Sequence, residues 1–286
     1  MRVQNFNPLS TRSEPPVPEL PEVETMAREL SQDLPGRTVL TATLRPKSLY
    51  RRGSASVHRL VGRTICAVER VGKNTVIRFR PSGLMLVNLG MTGRLVTAPN
   101  GSYPAGSRAS HLHGRFKLDG DLRLLYYDAR RFGHFYVAET CDFQKDLNIG
   151  PDPFIAKPGY FKHVLEGRTA PIKSLLLDQR LVSGIGNIYA DELLFDAGVD
   201  PRTPAGQLSD SASRLLRSAR TVLKLAIDYG GSTIRDYRRR DGSTGEFQQH
   251  HAVYGREGEP CKVCGTSIAR VTLGGRGTHF CPGCQR

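Results

Sequence analysis

The sequence predicts an α+β chain of more than one domain: a β-rich N-terminal region flanked by helices, a helical region behind it, and a small cysteine-bound unit at the C-terminus. Three observations carry that expectation. Short β-branched and apolar runs, separated by glycine, proline and charged turns, recur between Thr38 and Ala138. Beyond Gly150-Pro151-Asp152-Pro153 the apolar spacing changes to three and four residues. Four of the six cysteines crowd together at the C-terminus, as Cys261, Cys264, Cys281 and Cys284. At 286 residues the chain is long enough for two domains and a sizeable core.

Taken in order, the first sixteen residues, MRVQNFNPLSTRSEPP, show no periodicity and no apolar stretch of a secretory signal. VPELPEVET follows, at residues 17–25. From there Leu20, Val23, Ala27, Leu30 and Leu34 recur at helical spacing, so a helix is expected over Leu20–Leu34. Pro21 suits its first turn, Glu22 and Glu24 sit where the helix dipole favours anions, and Pro35-Gly36 stops it. Strands are expected at Thr38–Leu44, Thr64–Val71, Thr75–Phe79, Leu84–Leu89, Arg115–Leu118, Arg123–Asp128 and Gly133–Ala138, with a second helix near Ser54–Leu60. Past the linker, helices are expected at Tyr160–Glu166, Pro171–Leu177, Asn187–Ala197 and Ser209–Tyr229. In the last of these, Leu215, Leu216, Ala219, Val222, Leu223 and Ala226 form one core-facing stripe. Gly230–Glu259 is glycine-rich, polar and basic, and reads as loop. No internal repeat is present, and no run of about 18 apolar residues that would span a membrane.

Charge narrows the partner. The 41 Lys and Arg against 27 Asp and Glu leave a formal charge of +14. Such an excess favours a polyanion, because each cation near a phosphate releases condensed counterions. The C-terminal pattern Cys261-x2-Cys264-x16-Cys281-x2-Cys284 brings four thiolates to the corners of a tetrahedron. Four cysteines leave no open position, so one zinc ion there is structural, replacing a core that about 35 residues could not build. Cys66 and Cys141 stand outside the pattern and read as ordinary core residues. Between the knuckles, Gly274-Gly275-Arg276-Gly277-Thr278-His279 puts an arginine where it can approach a phosphate, or simply a charge on a solvated turn.

Two further stretches carry chemistry. In Leu181-Val182-Ser183-Gly184-Ile185-Gly186-Asn187-Ile188-Tyr189-Ala190, backbone N–H groups at a fresh helix can face a phosphate; a plain helix–turn–helix corner reads the same way. In Asp128-Ala129-Arg130-Arg131-Phe132-Gly133, a guanidinium and a ring two positions apart can wedge into a base stack, unless Phe132 is a core residue beside surface arginines. Met91, in Leu89-Gly90-Met91-Thr92-Gly93, reads as core when taken alone.

Together, PELPEVET, NLGMTGRL, DARRFG, LVSGIGNIYADE and the four-cysteine finger resemble the bacterial formamidopyrimidine-DNA glycosylase family, which includes endonuclease VIII. The likeness runs from Pro18 to Arg286, and VYGREGEPCKVCGT with DGSTGEFQQ resembles the formamidopyrimidine branch. The resemblance implies an N-terminal β-sandwich flanked by helices and a C-terminal helix-two-turn-helix domain with a four-cysteine zinc finger. It implies a catalytic sandwich over 18–147, a linker over 148–159, a DNA-binding helical domain with a lesion-capping loop over 160–250, and the finger over 251–286. Pro18 would be the nucleophile, through its α-nitrogen. Glu19 would protonate the deoxyribose ring oxygen. Lys73 would be the acid of β-elimination, and Arg276 would be tied to δ-elimination. Met91, Arg130 and Phe132 would fill the gap left by an everted nucleotide, and His111, Arg168, Lys173 and Asn187 would contact phosphates. The activity implied is excision of oxidised purines (8-oxoguanine and formamidopyrimidines) with strand nicking. The partner is damaged double-stranded DNA, acted on by a monomer in the bacterial cytoplasm, with no membrane and no diffusible cofactor.

Two departures stand out. Val17 precedes Pro18, and an acylated proline nitrogen is no nucleophile. Residues 1–17 are therefore expected to be a non-native or processed extension. A GTG codon, which encodes valine internally, can also act as an initiator read as Met, so translation starting at codon 17 would leave Pro18 first once that Met is removed. In Ser110-His111-Leu112-His113-Gly114 the acidic residue usual in the family is missing, which bears on the contact expected of His111. The alternatives are an endonuclease VIII-like enzyme for oxidised pyrimidines, distinguished by the Ser232–Gly245 loop, and a non-catalytic lesion-binding protein if residues 1–17 are retained.

Overall fold

The computed structural model describes residues 17–104, 107–232 and 245–286. Helix α1 (Leu20–Asp33) starts at the expected residue. Its N-cap, Glu19, is extended, and its backbone N–H donates to the Glu22 carboxylate at 2.8 Å. Val23, Met26 and Leu30 on α1, with Leu34 just beyond it, turn toward the β core, whereas Leu20 packs in the helical core of the second half. The Leu20 N–H also donates to the Gly184 carbonyl at 3.0 Å. Leu20 therefore packs with the helical half, and Val23, Met26 and Leu30 with the sandwich.

Eight antiparallel strands form the N-terminal body: β1 (Val39–Leu44), β2 (Thr64–Val71), β3 (Asn74–Arg80), β4 (Leu84–Asn88), β5 (Gly93–Pro99), β6 (Leu112–Leu118), β7 (Leu122–Asp128) and β8 (His134–Ala138). They make two four-stranded sheets, ordered β1-β6-β7-β5 and β2-β3-β4-β8. Alternate side chains meet between them: Ala42, Phe116 and Tyr126 from one sheet, Ile77, Val87 and Phe135 from the other. Tyr126 and Phe135 cross edge to face at 4.8 Å.

The expected strands form, with shifts that have physical causes. β5 was not expected: Leu95 faces the inner core while Val96 and Ala98 face an outer cluster with Leu125 and Tyr127, so no apolar alternation marks it. β6 starts at Leu112 rather than Arg115. The helix expected at Ser54–Leu60 is only a 3-10 turn, Val57–Leu60, which buries Val57 and Leu60 against the sandwich. A short helix, α2 (Phe143–Leu147), also was not expected; Asp142 caps it, and Leu147 covers Leu84 and Leu86 on the outer face of β4.

The second half is helical: α3 (Pro158–Leu165), α4 (Ile172–Leu176), α5 (Asn187–Asp196) and α6 (Ala212–Asp228) surround one apolar core, to which the expected α6 stripe contributes. A 3-10 segment, Ala205–Ser211, takes the first residues expected of α6. In the region expected to be loop, Phe247–His250 makes a 3-10 turn, and residues 233–244 lie outside the described ones, as do residues 1–16. A hairpin of β9 (Ala269–Leu273) and β10 (Arg276–Phe280) closes the chain. Arg70 bolts the halves together, meeting Glu24 of α1 at 2.9 Å and Asp152, in the stretch before α3, at 2.8 Å, with little of any partner exposed.

Candidate active site and nucleic-acid interface

The site grows from the N-terminus of α5. The buried Glu19 carboxylate accepts the backbone N–H groups of Gly186 (2.6 Å), Ile188 (3.0 Å) and Tyr189 (3.4 Å). A helix N-terminus holds an anion in this way because its first N–H groups lack intrahelical partners. Lys73 comes from the β2–β3 turn. There Gly72 has φ of 58°, and a Cβ on it would lie 2.8 Å from the Ser183 Cβ, so only glycine lets this turn press against the helical half. Gly186 is constrained the same way: a Cβ there would lie 2.5 Å from Glu19 Oε1 and 2.6 Å from Lys73 Nζ. Carboxyl and amine thus converge on one glycine.

A cavity of about 270 Å³ opens at this point, walled by Val17, Glu19, Lys73, Asn187, Tyr254 and Arg276. Burial pushes the Glu19 carboxyl above the ordinary range, opposed by Lys73 and by the three N–H groups. Burial likewise pulls the Lys73 ammonium down, opposed by Glu19 and Glu22, while Arg276 pulls it down further. The two shifts run toward each other, the carboxyl holding its proton more tightly and the ammonium less tightly than in water, the arrangement of an acid–base pair. Pro18 is buried next to Glu19, and its nitrogen is acylated by Val17, itself on the cavity wall.

Behind Glu19 runs a polar chain that sequence reasoning missed. Glu22 accepts from Tyr189 Oη at 2.6 Å and from the Ser232 N–H at 2.7 Å. Ser232 Oγ lies 3.0 Å from His251 Nε2. Burial, then the nearby Glu19, push Glu22 up to about 7, and burial pulls His251 down to about 4.

The Arg130–Phe132 loop lies between β7 and β8 and is built on Asp128, a residue with 0% exposure. The Asp128 carboxylate accepts from Thr92 Oγ1, Tyr126 Oη (3.0 Å), the Arg130 N–H (3.1 Å) and the Gly133 N–H (2.9 Å). Arg131 takes a left-handed φ of 56°, a strained conformation for a non-glycine residue. The result displays Phe132 at 53% exposure with the Arg130 guanidinium 4.5 Å over its ring. Phe132 is therefore no core residue. Met91 is half-buried on the adjoining turn, which Thr92 ties to Asp128.

The remaining sites divide. Asn187 is the first residue of α5; its Nδ2 donates to the Gly277 carbonyl at 3.1 Å, and its Oδ1 is buried with no hydrogen-bond partner among the described residues. Arg168 is exposed just beyond α3, with Nε on the Val164 carbonyl at 2.7 Å. His111 ends a 3-10 turn before β6, while its neighbour His113 reaches the Asp128 carbonyl with Nε2 at 2.9 Å. Lys173 corrects the expectation of a phosphate contact. Its ammonium has 0% exposure, pairs with Asp191 at 2.7 Å, and donates to the Gly277 carbonyl and Thr278 Oγ1. Asp191 also accepts the His279 N–H at 2.8 Å. Asn187 and Asp191, one helical turn apart on α5, thus hold the β9–β10 hairpin that carries Arg276. An aspartate four residues after an asparagine, and so on the same face of the helix, was the signal available for this role.

All four cysteine Sγ atoms lie within 4.8 Å of one another, with Cys264 to Cys281 at 3.4 Å and Cys261 to Cys284 at 3.9 Å. Zinc–sulfur bonds of about 2.3 Å in a tetrahedron require sulfur separations of about 3.8 Å, so the group fits zinc.

Three family models match in succession: the formamidopyrimidine-DNA glycosylase N-terminal domain over residues 17–135, its H2TH domain over 149–238, and the zinc finger found in FPG and IleRS over 258–286. The formamidopyrimidine-DNA glycosylase of Thermus thermophilus is 42% identical over 94% of this chain and 98% of its own. That of Carboxydothermus hydrogenoformans is 38% identical over 94% and 100%. Among solved structures, the Thermus thermophilus MutM (Fpg) protein superimposes with a TM-score of 0.81 at 40% identity, covering 94% of this chain and 98% of that one. Lactococcus lactis Fpg in complex with DNA containing an abasic site superimposes at 0.82 and 34% identity, covering 94% and 99%. A sandwich and helical body meeting at a buried carboxyl–lysine pair, with a zinc finger closing the site, define a DNA glycosylase. The chain belongs to the formamidopyrimidine-DNA glycosylase family, and its four cysteines hold one structural zinc.

Proposed function

We propose that this protein excises oxidised purines, 8-oxoguanine and formamidopyrimidines, from duplex DNA and nicks the strand by β,δ-elimination. The observation that carries the reading is the convergence of Glu19 and Lys73 on Gly186, with Arg276 on the same cavity and Pro18 adjoining it. Base excision needs C1′ exposed, so the nucleotide flips out, and the Arg130–Phe132 loop with Met91 takes the space it leaves. The Pro18 nitrogen lone pair then attacks C1′ while the Glu19 carboxyl gives its proton to the ring oxygen. The ring opens, the base departs with its bonding pair, and an iminium links Pro18 to C1′. The iminium acidifies C2′, so that loss of a C2′ proton expels the 3′ phosphate, with Lys73 as the acid. Loss of the 5′ phosphate follows, assisted by Arg276, and water hydrolyses the iminium, returning Pro18 as the free amine.

A proline amide has no lone pair for this attack, and an α-amino group that titrates near pH 8 does. The reading therefore includes release of Pro18 from Val17, by translation starting at codon 17 followed by removal of the initiator Met, or by trimming. With residues 1–17 attached, the same fold is a lesion-binding protein without excision, a second reading that the acylated Pro18 supports. Acting on chromosomal DNA, the enzyme works as a monomer with the nucleoid in a bacterial cytoplasm; among the described residues no helix is long and apolar enough to cross a membrane.

Borohydride trapping tests the reading. Protein beginning at Pro18 is expected to form a covalent adduct with 8-oxoguanine duplex, mapped to Pro18, and the full-length protein to form none. Equal trapping by both, with the adduct on Lys73, would overturn the assignment of the nucleophile. A panel of lesion duplexes decides between oxidised purines and oxidised pyrimidines.

A further inference from the structure

A second concavity, on the far side of the Arg130–Phe132 loop from the catalytic cavity, has a strongly one-signed lining. It encloses about 1200 Å³ and carries Arg45, Lys47, His58, Arg115 and Arg131, with no Asp or Glu in its wall. Arg45, Lys47, Arg115 and Arg131 are exposed, and among the described residues none of them pairs with a carboxylate. Like charges gathered without counter-charges repel one another, so such a wall suits an anion that spans it.

Strand register fixes where this groove stands. In the sheet that carries Lys73 at its β2–β3 turn, the end row runs Asn74, Asn88, His134 across β3, β4 and β8. In the other sheet the matching row runs Leu44, Gly114, Tyr126 across β1, β6 and β7. The Arg130–Phe132 loop joins β7 to β8, so it stands between the two rows. Lys73 stands at the β2–β3 edge of its sheet, whereas the other wall of the groove, Tyr50 and Ser54, packs on β8 at the opposite edge, so the loop has the catalytic lysine on one side and the basic groove on the other. The groove is also coupled to the loop directly. His113 Nε2 lies 2.9 Å from the Asp128 carbonyl, and the Arg45 N–H donates to the His113 carbonyl at 2.9 Å.

We infer that this groove binds the phosphate backbone of the strand opposite the lesion, in the flank just beyond the wedge. The inference rests on the reading that the Arg130–Phe132 loop enters a duplex. A wedge in a duplex has one strand on each side. The damaged strand must lie on the Lys73 side, where its C1′ reaches Glu19 and Pro18. The undamaged strand is left on the side of Arg45, Lys47 and Arg115. Phosphates there neutralise the unpaired cations and hold the opposite strand while the lesion nucleotide leaves the stack.

The test is the salt dependence of binding of the full-length protein to a duplex containing an abasic-site analogue. It uses the triple variant Arg45→Ser, Lys47→Ser, Arg115→Ser and a charge-matched control on the exposed face of α6, Arg214→Ser, Arg217→Ser, Lys224→Ser. Each lost phosphate contact lowers the slope of log K against log salt by about 0.9, so the groove variant is expected to lower it by about 2 to 3 and the control to leave it unchanged. Cutting back the opposite strand on one flank should lower the wild-type slope by a similar amount and leave the groove variant unmoved. The same titration with undamaged duplex reports lesion preference, and so tests the proposed function separately. Equal slopes for wild type and groove variant, equal losses for the groove and control variants, or a groove variant that still loses affinity on truncation would each overturn the inference.

Discussion

Lys173→Met separates an internal strut from a DNA contact. The Lys173 ammonium has three donors and three partners: Asp191 at 2.7 Å, the Gly277 carbonyl at 3.0 Å and Thr278 Oγ1 at 2.9 Å. Methionine conserves much of the chain volume but strands the Asp191 charge at 0% side-chain exposure. Removing one partner of a buried pair costs about 3–5 kcal/mol. The double change Lys173→Met, Asp191→Leu removes both charges and leaves chiefly the His279 N–H without its acceptor, a cost of about 1–3 kcal/mol. The single variant should therefore be less stable than the double, by about 2 kcal/mol, when unfolding in urea is followed at constant zinc. The hairpin bearing Arg276 loses its anchor in the single variant, so δ-elimination should fall more than β-elimination. The salt slope of DNA binding should not move. A Lys173→Met protein of wild-type stability, with a slope lowered by about 0.9, would refute the strut and restore Lys173 as a phosphate contact.

Three further outcomes are expected. Asp128→Asn turns an amide N–H₂ toward donors that now meet a carboxylate, costing about 3 kcal/mol; excision from a paired duplex should fall far more than nicking at an already extrahelical abasic site, and equal losses on both substrates would count against a wedge built on Asp128. Glu22 is raised from 4.5 to about 7 in the folded protein, so folded chains keep a proton that unfolded chains lose; this group's contribution to stability falls as pH rises from 4.5 to about 7, by about 3 kcal/mol, and is flat above, so wild type should lose stability relative to the non-titrating Glu22→Gln between pH 5 and pH 7 in thermal melts, and a difference between the two that does not change with pH would contradict this. Removing zinc should abolish DNA binding while the β-sandwich keeps its circular-dichroism signal, because the finger and the sandwich have separate apolar clusters; unchanged binding by verified metal-free protein would contradict this.

How far the sequence reaches can be read from particular residues. The start of α1, the helical spacing of α6 and the four-cysteine pattern were all legible, because each is a signal of spacing along one continuous stretch of chain. The stretches around Pro18, Arg130 and Arg276 could be picked out too, since each is short, whereas Lys73 entered only through the family resemblance. What the spacing could not supply is which face each residue meets. β5 escaped because both its sides are covered. Phe132 could equally have been a core ring, and Lys173, expected on a phosphate through the family resemblance, has its partners on α5 and a hairpin 105 residues away. Glu19 and Gly186 are 167 residues apart, and only folding puts a carboxyl on that helix N-terminus and shifts its proton affinity. Burial and partner identity depend on the summed packing of distant segments, and desolvation of a charge acts only once those segments have closed over it.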